Sequence, residues 1–273
     1  TYTVWYYAQG VGDKADSDMN RLNVTIEKKP LGVTWDKTIL TYDGTSQQPT
    51  AKLRGRVDGD QVWLKISNQQ TDVGTYTTEG LNLGGWSAGN YVLADDVKGT
   101  EFTIQPAPLT ITANSNAITY GGAPDNDGVT YKGFVRGENE YTPNILNGKL
   151  DYTYDYKQYD KVGCYTITPG GLTFKNYKII FVDGPLYVDP KPISINWGET
   201  TNTYDGTPWA PTATAEGMVN GDALTLTVTG QKTDAGEHTA TVTEIQGEKA
   251  ENYKLPDNPT ASFTIVKADA QFT

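Results

Sequence analysis

Thr41-Tyr42-Asp43-Gly44 returns unchanged as Thr203-Tyr204-Asp205-Gly206, and Thr119-Tyr120-Gly121-Gly122 stands between them. Each tetrapeptide opens one series of landmarks. A Val-x-Gly step follows at Val57/Gly59, Val135/Gly137 and Val219/Gly221. An Asp-x-Gly turn comes next, at Asp72–Gly74 and Asp234–Gly236, lengthened by one residue at Asp160–Gly163. Asn-Tyr pairs (Asn90-Tyr91, Asn176-Tyr177, Asn252-Tyr253) precede apolar strands at Phe102–Ile104, Leu186–Val188 and Phe263–Ile265. The offset from first to third series is 162 residues at Tyr42/Tyr204, Gly59/Gly221, Asp72/Asp234 and Tyr91/Tyr253. A register held that long marks an array of one module. Such repetition serves reach and copy number more than catalysis.

The chain of 273 residues is therefore read as three full modules with flanking pieces: 31–107, 108–190 and 191–268. Residues 1–30 read as the C-terminal part of a preceding repeat, since Thr1-Tyr2-Thr3 matches Thr75-Tyr76-Thr77. Residues 269–273 read as the start of a following segment, so an excised piece of a longer protein is expected. The junctions Glu27-Lys28-Lys29-Pro30, Gln105-Pro106-Ala107-Pro108 and Asp189-Pro190-Lys191-Pro192 carry prolines, which fix φ and extend the residue before them. Short, stiff joints are expected there, and with them an elongated, monomeric array.

Inside each module the hydrophobic period is two. Leu109-Thr-Ile111-Thr-Ala113, Tyr165-Thr-Ile167-Thr and Leu224-Thr-Leu226-Thr-Val228 alternate apolar residues with threonine, as half-buried strands do. Asp-Gly and Gly-Gly pairs punctuate them at hairpin intervals. No stretch of helical period interrupts the pattern. The class is all-β. Asp72-Val-Gly74-Thr-Tyr76 narrows it, because in immunoglobulin-like sandwiches a tight turn feeds a strand whose early tyrosine bonds back to the turn. Tyr165 holds the same slot in the second module and His238 in the third, so these three are read as structural corners. Tandem immunoglobulin-like β-sandwich modules are the expected architecture, with β-grasp-like modules as the alternative.

Composition bounds the chemistry. A net charge of −11 argues against a nucleic-acid footprint and suits a self-repelling surface protein. One cysteine, Cys164, excludes a disulfide within the chain. No apolar run reaches membrane-spanning length, so no membrane insertion of this chain is expected.

At these residues the chain resembles the MBG/YDG repeats of bacterial surface proteins. Leu109–Ala113, Tyr120-Gly121, Val135-Arg-Gly137, Gly163–Thr168, Asn176-Tyr177 and Leu186–Val188 carry that pattern, and Tyr42-Asp43-Gly44 and Tyr204-Asp205-Gly206 its Tyr-Asp-Gly variant. The resemblance covers 31–268 and implies tandem stalk repeats of large adhesin-like proteins of the cell exterior, some of them mucin-binding. It brings no catalytic residues and no cofactor.

Candidate sites are few. His238 is the only histidine, which leaves a metal without convergent imidazoles. Cys164 reads as a half-buried packing residue rather than a nucleophile. Asp13/Asp16/Asp18, Asp58/Asp60 and Asp125/Asn126/Asp127 read first as solvated turns and second as oxygen ligands for calcium. No Lys, Asn and Asp trio is singled out for an internal cross-link. The tryptophans, spread over the modules, read as core and junction anchors. The second module breaks the spacing: from the Val-x-Gly glycine to the turn aspartate it has 23 residues where its neighbours have 13. Within the addition Tyr152, Tyr154 and Tyr156 share one strand face. Exposed, they would form an aromatic platform for ligand binding; turned inward, they are core. The expected function is a non-catalytic stalk of an extracellular bacterial adhesin. The alternatives are a module binding host glycoprotein or polysaccharide through the second repeat, and an accessory region of a secreted enzyme.

Overall fold

The computed structural model describes residues 1–269, whose regular structure is strand apart from two short 3-10 turns, Ala88–Asn90 and Ala250–Asn252. Of the segment 269–273 only Asp269 falls within the described residues. Among the described residues no helix is long and apolar enough to cross a membrane.

Seven strands recur in each repeat, and the sequence period explains their pairing. The opening strand (Lys29–Lys37; Ala107–Ala113; Lys191–Pro192 with Ser194–Trp197) lies between the third and sixth strands. It runs antiparallel to the third (Thr50–Arg54; Val129–Lys132; Ala213–Glu216), and in the first and third repeats parallel to the sixth (Tyr91–Leu93; Tyr253–Lys254). The chain then crosses to a short second strand (Ile39–Thr41; Asn116–Thr119; Thr201–Thr203), which runs parallel to the last one (Glu101–Gln105; Gly184–Asp189; Thr260–Val266). The fifth strand (Gly74–Thr77; Gly163–Phe174; Gly236–Gln246) pairs antiparallel with the other edge of the last. The fourth completes that sheet in the second and third repeats (Leu146–Tyr154; Thr225–Thr229). In the first it is cut to Trp63–Lys65 and pairs with Asn82–Gly84.

Burial follows the period of two. Ala107, Leu109, Ile111 and Ala113 are buried while the residues between them are not, and Leu186/Val188 and Phe263/Ile265 repeat the pattern on the last strand. Each such Leu, Ile, Val or Phe side chain withdrawn from water contributes about 1.5–3 kcal/mol.

The chain divides into two compact units. Unit one holds Thr1–Pro108 with Phe134–Ile145 and Phe174–Lys178. Its core gathers Leu31, Val62 and Tyr91 with Leu53, Leu83 and Ala88. Its first residues form an exposed hairpin, Tyr2–Tyr6 against Asn20–Val24. Unit two holds Leu109–Gly133, Leu146–Thr173 and the residues from Ile179 onward. Its largest cluster includes Ala113, Tyr120, Tyr156, Ile167, Leu186, Val188 and Tyr253.

Candidate functional site

The Val-x-Gly step is a turn that aims a carboxylate. The N–H of the residue after the glycine bonds back to the valine carbonyl at Asp60 (3.2 Å), Glu138 (2.9 Å) and Asp222 (3.0 Å). The glycines have φ of 88°, 76° and 74°, a left-handed geometry that only glycine adopts without strain. In the second and third repeats the preceding residue is left-handed too (Arg136, φ 47°; Asn220, φ 59°), as a type I′ turn requires.

The turn meets the tyrosine of its own repeat's Asn-Tyr pair. Valine N–H groups donate to that hydroxyl oxygen from Val57 to Tyr91 (3.1 Å), Val135 to Tyr177 (3.0 Å) and Val219 to Tyr253 (3.1 Å). The hydroxyl donates onward to the carboxylate: Tyr91 to Asp60, Tyr177 to Glu138, and Tyr253 to Asp222 at 2.7 Å. The result is a socket with an anionic floor and an aromatic wall.

A tyrosine from the preceding repeat enters the socket. Tyr42 donates to Glu138 Oε1 at 2.6 Å, and Tyr120 donates to Asp222 Oδ2 at 2.9 Å. Their rings stand edge-on to Tyr177 and Tyr253, with centroids 5.5 and 5.3 Å apart. Both incoming rings are buried, at 5% and 2% exposure. Hydrogen bonds to an ionised acceptor are roughly twice as strong as neutral ones, and an edge-on ring pair adds about 0.5–1.5 kcal/mol. Burial, then the carboxylate bond, pushes the Tyr42 and Tyr120 hydroxyls up to about 12. Burial and Asp222 likewise push Tyr253 up to about 12, and burial with Glu138 raises Tyr177 further. The backbones approach closely: a Cβ at Gly121 would lie 2.8 Å from Val219 Cγ2, and one at Gly44 3.2 Å from Arg136 Cδ.

A second clasp lies beside the first. Asn176 Oδ1 accepts the Val73 N–H at 2.9 Å while its Nδ2 donates to Asp72 Oδ1 at 2.9 Å. Lys175 Nζ bonds the other Asp72 oxygen at 2.8 Å. These two side chains hold the Asp72 carboxyl below the usual carboxylate range. Between the second and third repeats Asn252, 1% exposed, accepts the Val162 N–H at 2.9 Å. The four turn and tyrosine landmarks of the repeat thus have a place in a joint, while the closing apolar strand does not. The tetrapeptide tyrosine and the Asp-x-Gly turn belong to one repeat, the acid and the Asn-Tyr pair to the next. Sequence reading located these motifs without pairing them across repeats. The acid closing each Val-x-Gly step was read only at Asp60, as a solvated turn or a calcium ligand, and not as an acceptor for the tyrosines.

The corner residues lie just outside the joints. Tyr76 donates to the Asp72 carbonyl (3.0 Å), Tyr165 donates to the Lys161 carbonyl (2.8 Å), and His238 Nε2 lies 2.8 Å from the Asp234 carbonyl. Each reaches back four residues over the turn. At Gly74 a Cβ would fall 2.8 Å from the Tyr76 hydroxyl, which explains the glycine.

The Tyr152/Tyr154/Tyr156 stripe turns inward. Tyr156 is 2% exposed and donates to the Gly122 carbonyl at 3.1 Å. Tyr152 and Tyr154 are half-buried against the same cluster, and Asn126 donates to the Tyr154 hydroxyl. The three rings are core of their repeat, not a free platform. In register Tyr152 and Tyr154 replace Leu64 and Ile66 of the first repeat and Leu226 and Val228 of the third, which line a surface groove in each. Other expectations need correction. Cys164 is exposed, because it sits on the outward side of its strand. Trp5, Trp63 and Trp86 are 58%, 50% and 95% exposed and anchor no core. Asp60 lies in a socket rather than a solvated turn.

Residues 109–187 match the MBG domain (YGX type), and residues 189–261 match the YDG domain. No curated protein matches the chain.

Proposed function

We propose that this chain, which carries MBG/YDG-type repeats in tandem, is a non-catalytic stalk of a bacterial surface adhesin, holding a binding region away from the cell. One observation carries the reading. At both junctions between full repeats the recurring polar groups link one repeat to the next, through Tyr42–Glu138–Tyr177 and Asn176–Asp72, and again through Tyr120–Asp222–Tyr253 and Asn252–Val162. A binding or catalytic module would keep its distinctive side chains for a ligand. Here they fix a neighbour, which suits a load-bearing element of the cell exterior. The inward turn of Tyr152, Tyr154 and Tyr156 removes the feature that favoured glycoprotein or polysaccharide binding by the second repeat.

Solution scattering of dilute protein tests the reading. An extended monomer is expected, whereas a particle as compact as a sphere of the same mass would overturn it. Retention of the fragment on immobilised mucin or polysaccharide would move the function to the binding alternative.

A further inference from the structure

We infer that each joint doubles as a mechanical latch. Under tension along the chain, the second strand of a repeat can shear from its last strand only as its tyrosine is drawn out of the next repeat's socket, so that a repeat resists force through its neighbour. The use of such a latch to a cell rests on the stalk reading. The latch itself is tested by pulling, and stands or falls apart from that reading.

The pairing of the strands decides how a pull is borne. In all three repeats the second strand runs parallel to the last: Ile39–Thr41 on Thr103–Gln105, Asn116–Thr119 on Leu186–Asp189, and Thr201–Thr203 on Thr264–Val266. Backbone bonds just beyond the strands lengthen the ladder. Thr103 N–H donates to the Thr38 carbonyl at 2.9 Å, Tyr42 N–H to that of Gln105 at 2.8 Å, and Tyr120 N–H to that of Asp189 at 2.9 Å. The chain enters each ladder at the start of the second strand and leaves it at the end of the last. Tension therefore drags the two strands in opposite directions along their own axes. Bonds in a parallel pair are evenly spaced, so a ladder loaded that way shares the load among them, and they fail together. An antiparallel pair such as the last strand and Gly74–Thr77, pulled apart at adjoining ends, would instead open one bond at a time.

The knobs of the joints, Tyr42 and Tyr120, are the residues that close these ladders. Each follows directly on the second strand, with its N–H bonded to the last strand of its own repeat. Its hydroxyl is bonded to the acid of the next repeat, at 2.6 Å for Glu138 and 2.9 Å for Asp222. The last strand runs into the next repeat after a single residue, Pro106 or Pro190, so a pull draws the socket in the direction of the last strand. A slip of one residue displaces the second strand by about 3.3 Å. That carries a 2.6 Å hydrogen bond far beyond bonding distance. Latch and ladder thus give way over the same displacement, and their resistances add. Withdrawal also brings a buried ring into water, which opposes the slip further.

Pulling single molecules of the full chain tests the latch. In a Cys164→Ser background, with folding checked by circular dichroism, the chain is held at constant force between handles at its two ends, or between Ser46→Cys and the C-terminal end. Ser46 is exposed and lies beyond Tyr42, so the second geometry leaves the second strand outside the path of tension. It also shortens the extension released by the first repeat, which identifies that event. Between the end handles Tyr42→Phe should shorten the lifetime of the first repeat about ten- to a hundredfold, the span for losing a hydrogen bond to a charged acceptor. From the Ser46→Cys handle the same variant should shorten it less than about threefold, since forced unfolding follows the barrier along the path that is loaded. Glu138→Gln, a change in the second repeat, should also shorten the first repeat's lifetime in the end-to-end pull. Equal shortening in both geometries overturns the inference, because it would mark the bond as an ordinary stabiliser. So does an end-to-end lifetime that neither variant changes.

Discussion

Replacing Tyr120 by phenylalanine removes one oxygen atom from the joint between the second and third repeats and leaves the ring in place. Asp222 Oδ2 then keeps only the Tyr253 hydroxyl of its two donors, at 2.7 Å. Tyr120 is 2% exposed, so water has no ready path to replace the lost hydroxyl. A hydrogen bond to a charged acceptor contributes about 1.5–3 kcal/mol, and the cost approaches the upper end when the acceptor is left short in a dry site. Unit two has about 150 residues. For a domain of that size each kcal/mol shifts the melting midpoint by about 2–4 °C, so a fall on the order of 3–12 °C is expected. The same substitution at Tyr204 supplies the control, because that tyrosine holds the same place in its repeat but is exposed, and its hydroxyl makes no bond among the described residues. In dilute protein Tyr204→Phe should leave the midpoint where it was. Differential scanning calorimetry on the two variants decides the matter. Equal shifts at both positions, or none at Tyr120, would refute the claim that the tetrapeptide tyrosine acts through the neighbouring acid.

Tyr156→Ala should cost about 3–5 kcal/mol in chemical denaturation, the usual loss for truncating a buried aromatic; an effect near zero would return the tyrosine stripe to the surface. Raising the pH should loosen both joints. The Tyr42, Tyr120 and Tyr253 hydroxyls, ordinarily near 10, are pushed up to about 12 in the folded chain. Their contribution is therefore fully present below pH 10 and is lost as the pH climbs towards 12, on the order of 2–3 kcal/mol per ring. Denaturation at stepped alkaline pH, with tyrosinate absorbance followed in parallel, should show the late-titrating tyrosines ionising as stability falls, and a flat profile would count against the joints. Gly121→Val should destabilise unit two, since φ is 86° and the new Cβ would stand 2.8 Å from Val219. Gly206→Val, also at positive φ but with open space around it, should cost less in the same melt.

Fold class was legible because it rests on a local pattern. Leu109-Thr-Ile111-Thr-Ala113 alternates in sequence and alternates in burial, and a period of two needs no knowledge of the partner strand. The joints were legible only as motifs. Tyr42 and Glu138 are 96 residues apart, and nothing in the spacing within one repeat says that a landmark faces the next one. The tyrosine stripe shows the same limit at shorter range. Alternation put three rings on one face, but which face turns inward depends on the sheet that receives it. The exposed Trp63 and Trp86 mark the converse failure, where size and apolarity suggested anchoring and the loops and a short edge pair left the rings in water.

The two occupied joints solve one problem with different parts. At the first, the knob is Tyr-Asp-Gly and the acid is Glu138, whose longer side chain gives Tyr42 one oxygen and Tyr177 the other. At the second, the knob is Tyr-Gly-Gly and the shorter Asp222 serves Tyr120 and Tyr253 with a single oxygen. The glycine that replaces aspartate after Tyr120 is the one whose Cβ would strike Val219, so the shorter acid goes with a closer backbone approach. Lys175 appears in the clasp only at the first joint, where Asp72 offers it a carboxylate. Repeats of this kind are therefore alike in fold yet matched in pairs, because each joint is encoded half in one repeat and half in the next. That division also accounts for the composition of unit one, which includes Phe134–Ile145 and Phe174–Lys178 of the second repeat, the segments that carry Glu138, Lys175, Asn176 and Tyr177. A cut made at the proline junction after residue 107 would separate Tyr42 from Glu138 and Asp72 from Asn176. The structural unit of the array is a repeat together with the half-joint that its neighbour supplies.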